Sequence, residues 1–367
     1  MAEESTKVIA VLVGDAHLSD RSFIGRSDML GDPQYAMQQA VDHACSLDTV
    51  QCLIAAGDLF DSKRPSSDIS LVFRRMLIQL AEHDIKFGYI RGNHDFCNVP
   101  WPKAISAKAV HLNKRKLVLL TDRDPLVLYG MDFAPVDTLP QEIDKIPSGV
   151  HVLICHQRWD EFAGGSGDGS LSSIPANKVK VVFTGDTHLA KQFVDSGKLI
   201  ISPGATHMRK SDEPAKHYVY ALHDNGVIKA VPLRSRPVLR KEITSLSELE
   251  AFIDSVPGWL QALDVTGLPE QLQKPIVVVR LEYLLGKAKR RVEAACKGKA
   301  HLFWSSPKQQ TDAAGTTKDV AVATDFLTVL KEECPNKAVE AIVSRLWTTG
   351  DMRQEFEQLC RERGLCD

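Results

Sequence analysis

From residue 7 to about residue 235, short apolar runs rich in β-branched side chains alternate with longer amphipathic stretches, and no other feature constrains the fold as strongly. Val8-Ile9-Ala10-Val11-Leu12-Val13 and Val179-Lys180-Val181-Val182-Phe183 are two of these runs. The pattern predicts strands that include 7–13, 51–56, 86–90, 116–120, 150–154, 180–184, 199–201, 217–222 and 226–232. It predicts helices over 34–47, 67–83 and, more briefly, 139–145. In the second helix Ile69, Val72, Phe73, Met76, Leu77 and Leu80 follow helical spacing, which gives it one face to bury. Strands separated by helices build an α/β fold.

Five runs lead into a short acidic or histidine-bearing segment: Asp15-Ala16-His17, Gly57-Asp58-Leu59-Phe60-Asp61, Gly92-Asn93-His94-Asp95, Cys155-His156 and Gly185-Asp186-Thr187-His188. Loops at the carboxyl ends of strands are where α/β folds place their chemistry. Asp15 and His17, two apart at a strand end, project to one side and can grip one cation. Asp58 has two oxygens with which to bridge two metals, Asn93 offers a neutral carbonyl oxygen, and His156 and His188 supply imidazole nitrogens. This mixed set suits manganese, iron, zinc or magnesium and lacks the soft sulfur that favours copper. Cys155 points to the opposite face of its strand and reads as core.

Two divalent cations about 3.5–4 Å apart form a clamp for phosphoester hydrolysis, acidifying a bound water and neutralising charge on the phosphoryl oxygens. His94, beside Asn93, is placed to protonate the leaving oxygen or to stabilise the transition state. Asp95 either orients that imidazole or ties the turn. One such segment alone is often only a turn, but all five in order read as a single phosphoesterase site. His43, His83, His111, His151 and His223 have no motif around them and read as surface or satisfied core histidines.

A chain of 367 residues with 44% hydrophobic and 25% charged residues has room for two globular domains, which excludes a disordered or fibrous protein. No run of roughly 18 apolar residues is present and the start has no signal-peptide pattern, so the expected location is the cytoplasm, or a host's cytoplasm if the chain is phage-encoded. Eight cysteines without a Cys-x-x-Cys pair argue against a zinc ribbon or a disulfide framework. A net charge of -2 gives no global attraction to nucleic acid, so any such binding falls to local basic patches. The candidates are Lys63-Arg64, Lys114-Arg115-Lys116, and the stretch holding Lys287, Lys289, Arg290, Arg291, Lys297 and Lys299, each of which also reads as plain solvated surface.

The glycine-dense segment 164–170 is a rim of the site or a connector. A second region begins near 236, where Ser245-Leu246-Ser247-Glu248 has the form of a capping box and Pro275 to Leu281 reads as a strand. The domain boundaries are thus 1–238 for the catalytic domain and 239–304 for a small α/β capping and DNA-binding domain, with a polar linker at 305–322. Amphipathic helices in 323–367 must bury their apolar face on their own domain or on a partner.

Taken together, the five segments resemble the calcineurin-like metallophosphoesterase superfamily, with its Asp-x-His, Gly-Asp-x-x-Asp, Gly-Asn-His-Asp/Glu, lone His and Gly-His-x-His series. Within it the chain most resembles SbcD-like members of the meiotic-recombination-eleven family of DNA double-strand-break nucleases. Residues 57–66, Ser202-Pro203-Gly204 and 231–237 carry that likeness, which is good over 7–240 and loose beyond. The resemblance implies a two-sheet sandwich flanked by helices, the small capping domain, and C-terminal helices that dock on an SbcC-like ABC ATPase. It implies a homodimer with a face in 84–115, and no membrane. It also implies that Asp15, His17, Asp58 and His188 hold one metal while Asp58, Asn93, His156 and residue 186 hold the other.

Residue 186 departs from the pattern, being aspartate where the family usually has histidine. A third carboxylate lowers the net charge of a two-cation site by one, and its hard oxygen favours manganese or magnesium over zinc. The leading expectation is therefore a Mn2+-dependent exonuclease and endonuclease of an SbcCD-like DNA repair or recombination complex, with Mg2+ as the other candidate ion. The alternatives are a stand-alone phosphodiesterase or phosphatase on small substrates, and a non-catalytic scaffold on a decayed site.

Overall fold

In the computed structural model, residues 6–96, 101–281 and 286–305 are described. The strands are β1 (Val8–Val13), β2 (Cys52–Ala56), β3 (Lys86–Ile90), β4 (Ala109–His111), β5 (Lys116–Leu119), β6 (Leu126–Met131), β7 (Val150–His156), β8 (Val179–Gly185), β9 (Lys191–Asp195), β10 (Lys198–Ser202), β11 (His217–His223), β12 (Ile228–Leu233), β13 (Val238–Ile243), β14 (Ile276–Leu281) and β15 (His301–Ser305). The helices are α1 (Asp32–Cys45), α2 (Ser67–Glu82), α3 (Trp101–Ile105), α4 (Leu139–Asp144), α5 (Asp160–Ala163), α6 (Leu246–Gln261), α7 (Glu270–Gln273) and α8 (Gly286–Cys296). All nine strands and three helices expected over 7–235 are present, with β4, β6 and β9 in addition.

Two six-stranded sheets carry the first part of the chain, in the orders β12-β11-β1-β2-β3-β4 and β5-β6-β7-β8-β10-β9. Strands β1 to β4 are parallel, as are β6, β7, β8 and β10; antiparallel pairs add β11 and β12 at one side of the first sheet and β5 and β9 at the two edges of the second, while the parallel β4 is the first sheet's other edge. Side-chain alternation divides each run between two cores. Leu12, Ile54 and Ile90 meet Val152, Ile154 and Phe183 between the sheets. Val11, Leu53, Phe87 and Tyr89 turn outward against Met37 and Val41 of α1 and Phe73, Met76 and Leu80 of α2. On the far side, Leu153, Cys155 and Val182 cover Leu139, Ile143 and Trp159. Burial on both faces is why these runs are apolar throughout instead of alternating with polar residues.

Local chemistry sets the helix limits. Ser66 caps α2 by accepting from Ile69 N at 3.2 Å, and Ile69, Phe73, Met76, Leu77 and Leu80 form its buried stripe. Strand β6, absent from the strands expected above, carries Gly130. The structure needs that glycine, since a Cβ there would overlap the carbonyl of Leu112.

The described residues divide into two compact units, one running to Val238 and including Asp264–Ile276, the other made of Leu239–Leu263 and the described residues from Val277 to Ser305. Residues 264–276, expected within the capping domain, thus lie with the first unit: Tyr35 Oη bonds the Gly267 carbonyl at 3.5 Å and the Arg236 guanidinium bonds that of Lys274 at 2.7 Å. In the second unit a sheet ordered β13-β14-β15 packs with α6 and α8 around Ile243, Phe252, Val256, Val277, Val279 and Val292. Ser245 caps α6 by accepting from Glu248 N, while Glu248 reaches back one residue further than a capping box requires, to Thr244 N at 2.8 Å. The expected linker at 305–322 lies outside the described residues apart from Ser305, and the tail at 323–367 lies wholly outside them. Among the described residues no helix is long and apolar enough to cross a membrane.

Candidate metal centre

Because the strands before them run parallel, the five segments all leave their sheets at the same end of the sandwich. Asp15 follows β1, Asp58 follows β2, Asn93 follows β3, His156 is the last residue of β7, and Asp186 follows β8. Three of these segments turn through the left-handed region at a non-glycine residue: His17 with φ 41°, Asp58 with φ 43° and Asp186 with φ 81°. Conformations of this kind cost free energy and gather where function requires them. The loops interlock through backbone bonds from His17 N to Asp58 O and from Leu18 N to Leu59 O, both 2.8 Å.

The side chains converge. His17 Nε2 stands 3.1 Å from His188 Nε2 and 3.6 Å from Asp58 Oδ2, while His188 Nε2 stands 3.7 Å from Asp15 Oδ2. His156 Nε2 lies 3.4 Å from Asp58 Oδ2 and 3.8 Å from Asp186 Oδ1, and its Nδ1 lies 3.5 Å from Asp15 Oδ1. The Asn93 amide is 3.2 Å from both Asp58 oxygens and from His156 Nε2. A nitrogen turned inward satisfies those acceptors, whereas a cation in the same place takes the oxygen. Asp186 also lends its backbone, its N–H donating to both Asp15 oxygens at 3.2 and 3.1 Å.

Partners outside the cluster fix the imidazoles. His156 Nδ1 bonds the carbonyl of Ala56 at 2.9 Å, and His188 Nδ1 bonds Glu213 Oε1 at 2.6 Å, so in both rings Nε2 faces the cluster. His94 Nδ1 bonds the Asp61 carbonyl at 3.0 Å, and its ring meets that of His17 edge to face at 5.1 Å. Of the two roles open for Asp95, its bonds are those of a tie: its carboxylate accepts from Leu59 N and Phe60 N at 3.2 Å and from Gly92 N at 3.0 Å. The chain must pass Asp58 closely here, for a Cβ on Gly92 would overlap that carboxylate.

The electrostatics are those of a site built around positive charge. Burial pushes the Asp15 carboxyl up to about 6, against the pull of His156. Burial, followed by repulsion from Asp58, pushes Asp95 up to about 7. Burial raises Asp186 as well, with Asp58 and Asp168 adding to it against His156. Asp58 goes the other way, because His156 and His17 outweigh its own burial. His156 is raised to about 10 although burial opposes it, since Asp58, Asp15 and Asp186 surround it. Burial and the Arg209 guanidinium hold His17 well below its usual value, so it is a neutral ring with a lone pair to offer. Two imidazole nitrogens 3.1 Å apart, among carboxylates and one amide, fit divalent cations taking nitrogen and oxygen ligands.

Comparison with known proteins agrees. Residues 10–190 match the profile of the calcineurin-like phosphoesterases. Those residues belong to that family. The chain is also 24% identical over 302 residues to the DNA double-strand break repair protein Mre11 of Methanosarcina acetivorans, a match covering 74% of this chain and 48% of the relative. The chain thus spans about half the length of the curated relative it matches. Among solved structures it is similar to a putative 5'-nucleotidase from Staphylococcus aureus, at 12% identity over 62% of this chain and 53% of that one, with a TM-score of 0.38. It is similar also to the phosphopantetheinyl hydrolase of Mycobacterium tuberculosis, at 11% identity over 54% and 90% of the two chains, with a TM-score of 0.35.

The phosphoesterase site contains residues that sequence reasoning did not single out. Glu213 and Arg209 sit on the strap after β10. Glu213 Oε2 accepts from Arg209 N at 2.6 Å while Oε1 holds His188, and the Arg209 guanidinium pairs with Asp61. No local pattern marks them, because their partners are from 25 to 148 residues away in sequence. The glycine-dense segment folds back on its own start, with Gly167 N bonding Asp160 Oδ1 and Gln157 Nε2 bonding Asp168 Oδ2, both 2.8 Å.

The DNA-binding candidates fall in a loop of the first unit and in α8 of the second. Lys63 and Arg64 are exposed in the loop before α2. In α8 Lys289 Nζ lies 5.6 Å over the Trp304 ring, Arg290 is exposed, Arg291 pairs with Glu250, and the Lys287 side chain lies outside the described residues.

Proposed function

We propose that this chain is a metal-dependent phosphodiesterase that cleaves DNA, an SbcD-like nuclease subunit. The observation that carries the reading is the convergence of Asp15, His17, Asp58, Asn93, His156, Asp186 and His188 beside His94, with His156 and His188 each anchored through Nδ1 so that Nε2 faces inward. Asp15, His17, Asp58 and His188 would hold one divalent cation, and Asp58, Asn93, His156 and Asp186 the other. When bound, the ions supply an acidified water and neutralise charge on the phosphoryl oxygens.

The chain's own groups do the rest. Asp58, central to the cluster, is kept in place by His94 N, which donates to Oδ1 at 2.9 Å. With Nδ1 committed to the Asp61 carbonyl, His94 has Nε2 for the substrate, to protonate the leaving oxygen or to donate to a phosphoryl oxygen as charge builds there. Asp95 is a positioning residue, joining the two loops that carry Asp58 and His94 through three backbone amides. Asp186 brings a hard oxygen where the family has an imidazole, which favours Mn2+, with Mg2+ next, over Zn2+.

DNA as substrate is supported by the printed role of the Methanosarcina relative in double-strand break repair and by the α/β unit that follows the phosphoesterase domain. We further propose a homodimer, an SbcC-like ATPase taken up by residues 323–367, and action in the cytoplasm, on the resemblance of the sequence motifs to SbcD-like nucleases.

The test is cleavage of linear duplex and single-stranded DNA with Mn2+ by the full chain and by His94→Asn. Cutting that depends on Mn2+ and His94 is expected. Turnover confined to small phosphodiesters would replace the nuclease by a stand-alone phosphoesterase, and a purified chain that retains no divalent ion and hydrolyses nothing would be a scaffold.

A further inference from the structure

We infer that Arg91 and Phe96 form a nucleotide subsite on the lip of the metal centre, Phe96 stacking on a nucleobase beside the scissile phosphate and Arg91 pairing with that nucleotide's phosphate. The inference rests on the phosphodiesterase reading above and adds the part of the substrate that is gripped.

Arg91 immediately precedes the Gly92-Asn93-His94-Asp95 segment and is held rigidly. Its backbone N and its Nε donate to the two oxygens of Asp132 at 2.8 and 2.9 Å. His111 Nε2 bonds the same carboxylate at 2.9 and 3.0 Å, and the His111 ring stacks on Tyr89 at 5.0 Å and 11°. Asp132 is only 6% exposed, so this anchor lies in the body of the fold. The Nε edge of Arg91 is thereby committed, while its terminal amino groups carry no hydrogen bond among the described residues and the side chain is 26% exposed. A planar guanidinium with its outward N–H groups free is suited to phosphate oxygens.

Phe96 completes the pair. The Arg91 guanidinium lies 4.8 Å from the centroid of its ring, and Phe133 meets the ring edge to face at 6.2 Å. Phe133 is in turn tied to Arg91, its N–H donating to the Arg91 carbonyl at 2.8 Å. The other aromatics linked in this region, Phe60, Phe73 and Phe87, are buried, yet Phe96 remains 37% exposed. Leaving so large an apolar surface in water forgoes hydrophobic stabilisation. Covalent geometry places its Cα within about 7 Å of that of His94, two residues away. An aromatic ring restrained on two sides, with a fixed cation beside it, matches a flat base joined to an anionic phosphate, and stacking of this kind tolerates any base.

The test uses the full chain with Mn2+ and a set of single-stranded oligonucleotides in which one tetrahydrofuran abasic residue is moved through the positions flanking the cut. At one position the wild type should lose about tenfold in kcat/KM, the size of one base–aromatic stack. Phe96→Ala should lose about as much on the intact oligonucleotide and show no further loss on the abasic one. Phe96→Trp should restore both behaviours, and Phe96→Leu, which keeps the bulk without the π face, should not.

A second measurement does not depend on turnover. With the His94→Asn chain bound, an oligonucleotide carrying 2-aminopurine should be quenched, and the added Phe96→Ala substitution should relieve the quenching. Loss of DNA cleavage in the wild type alone would sink the nuclease reading and leave this binding result to decide the subsite. Unchanged abasic discrimination, full rescue by leucine, or quenching indifferent to Phe96 would each overturn it.

Discussion

Glu213 Oε1 lies 2.6 Å from His188 Nδ1, and this single bond fixes which nitrogen of His188 faces the metal centre. The same carboxylate accepts from the backbone N–H of Arg209 and Lys210, so its own position is set by the strap that carries it. Removing an outer partner of a ligating histidine characteristically costs metal affinity, not the fold. Glu213→Gln should bind Mn2+ about 10- to 100-fold more weakly, read by titration calorimetry on the metal-stripped chain. Affinity equal to the wild type would mean that the bond has no part in holding the ion.

His94→Asn should lower kcat by about 10²- to 10⁴-fold, the usual contribution of a positioned general acid. Its backbone N–H, which holds Asp58 Oδ1 at 2.9 Å, survives the substitution, so bound metal should be unchanged. Metal analysis beside the kinetics separates the two effects. A parallel fall in metal content would make His94 a structural residue instead.

Asp186→His restores the imidazole of the family pattern and returns one positive charge to the site. Activity should shift from Mn2+ toward Zn2+, measured as the ratio of initial rates with each ion. An identical metal profile would argue that the Asp186 side chain, 3.8 Å from His156 Nε2, is not a ligand.

His207, beside Thr206 on the same strap, is pushed down to about 3 by burial, with His217 and Arg209 adding to the effect. Unfolded, it titrates near 6.5. Between those values the unfolded chain binds a proton that the native chain refuses, so stability falls as pH falls from about 6.5 toward 3. His207→Gln should remove about 1.4 kcal/mol per pH unit from that slope, measured by urea unfolding at a series of pH values. Equal slopes would show that His207 takes up a proton in the native state.

The reach of the sequence differs from element to element. In α2 the helical stripe Ile69, Phe73, Met76, Leu77 and Leu80 is a local pattern and is buried in the structure. In β6, which lies outside the expected strands, Gly130 is needed because the chain passes the Leu112 carbonyl closely, a contact with a distant residue that no local pattern announces. His111 reads from the sequence as a surface or satisfied core histidine, and only the fold shows that the carboxylate it bonds, Asp132, is the one that anchors Arg91.

The sequence by itself determined the alternation of strands and helices and the five polar segments, because strand period, helix period and loop chemistry are written in neighbouring residues. Parallel pairing of β1 with β2 and β3, and of β7 with β8, brought those segments to one end of the sandwich. Only the tertiary structure decided that Glu213 holds His188, that Arg209 pairs with Asp61, that Asp95 ties two loops, and that Arg91 stands over Phe96. Most of these contacts join residues far apart along the chain, and all depend on side-chain placement, so folding creates them where no local pattern could announce them.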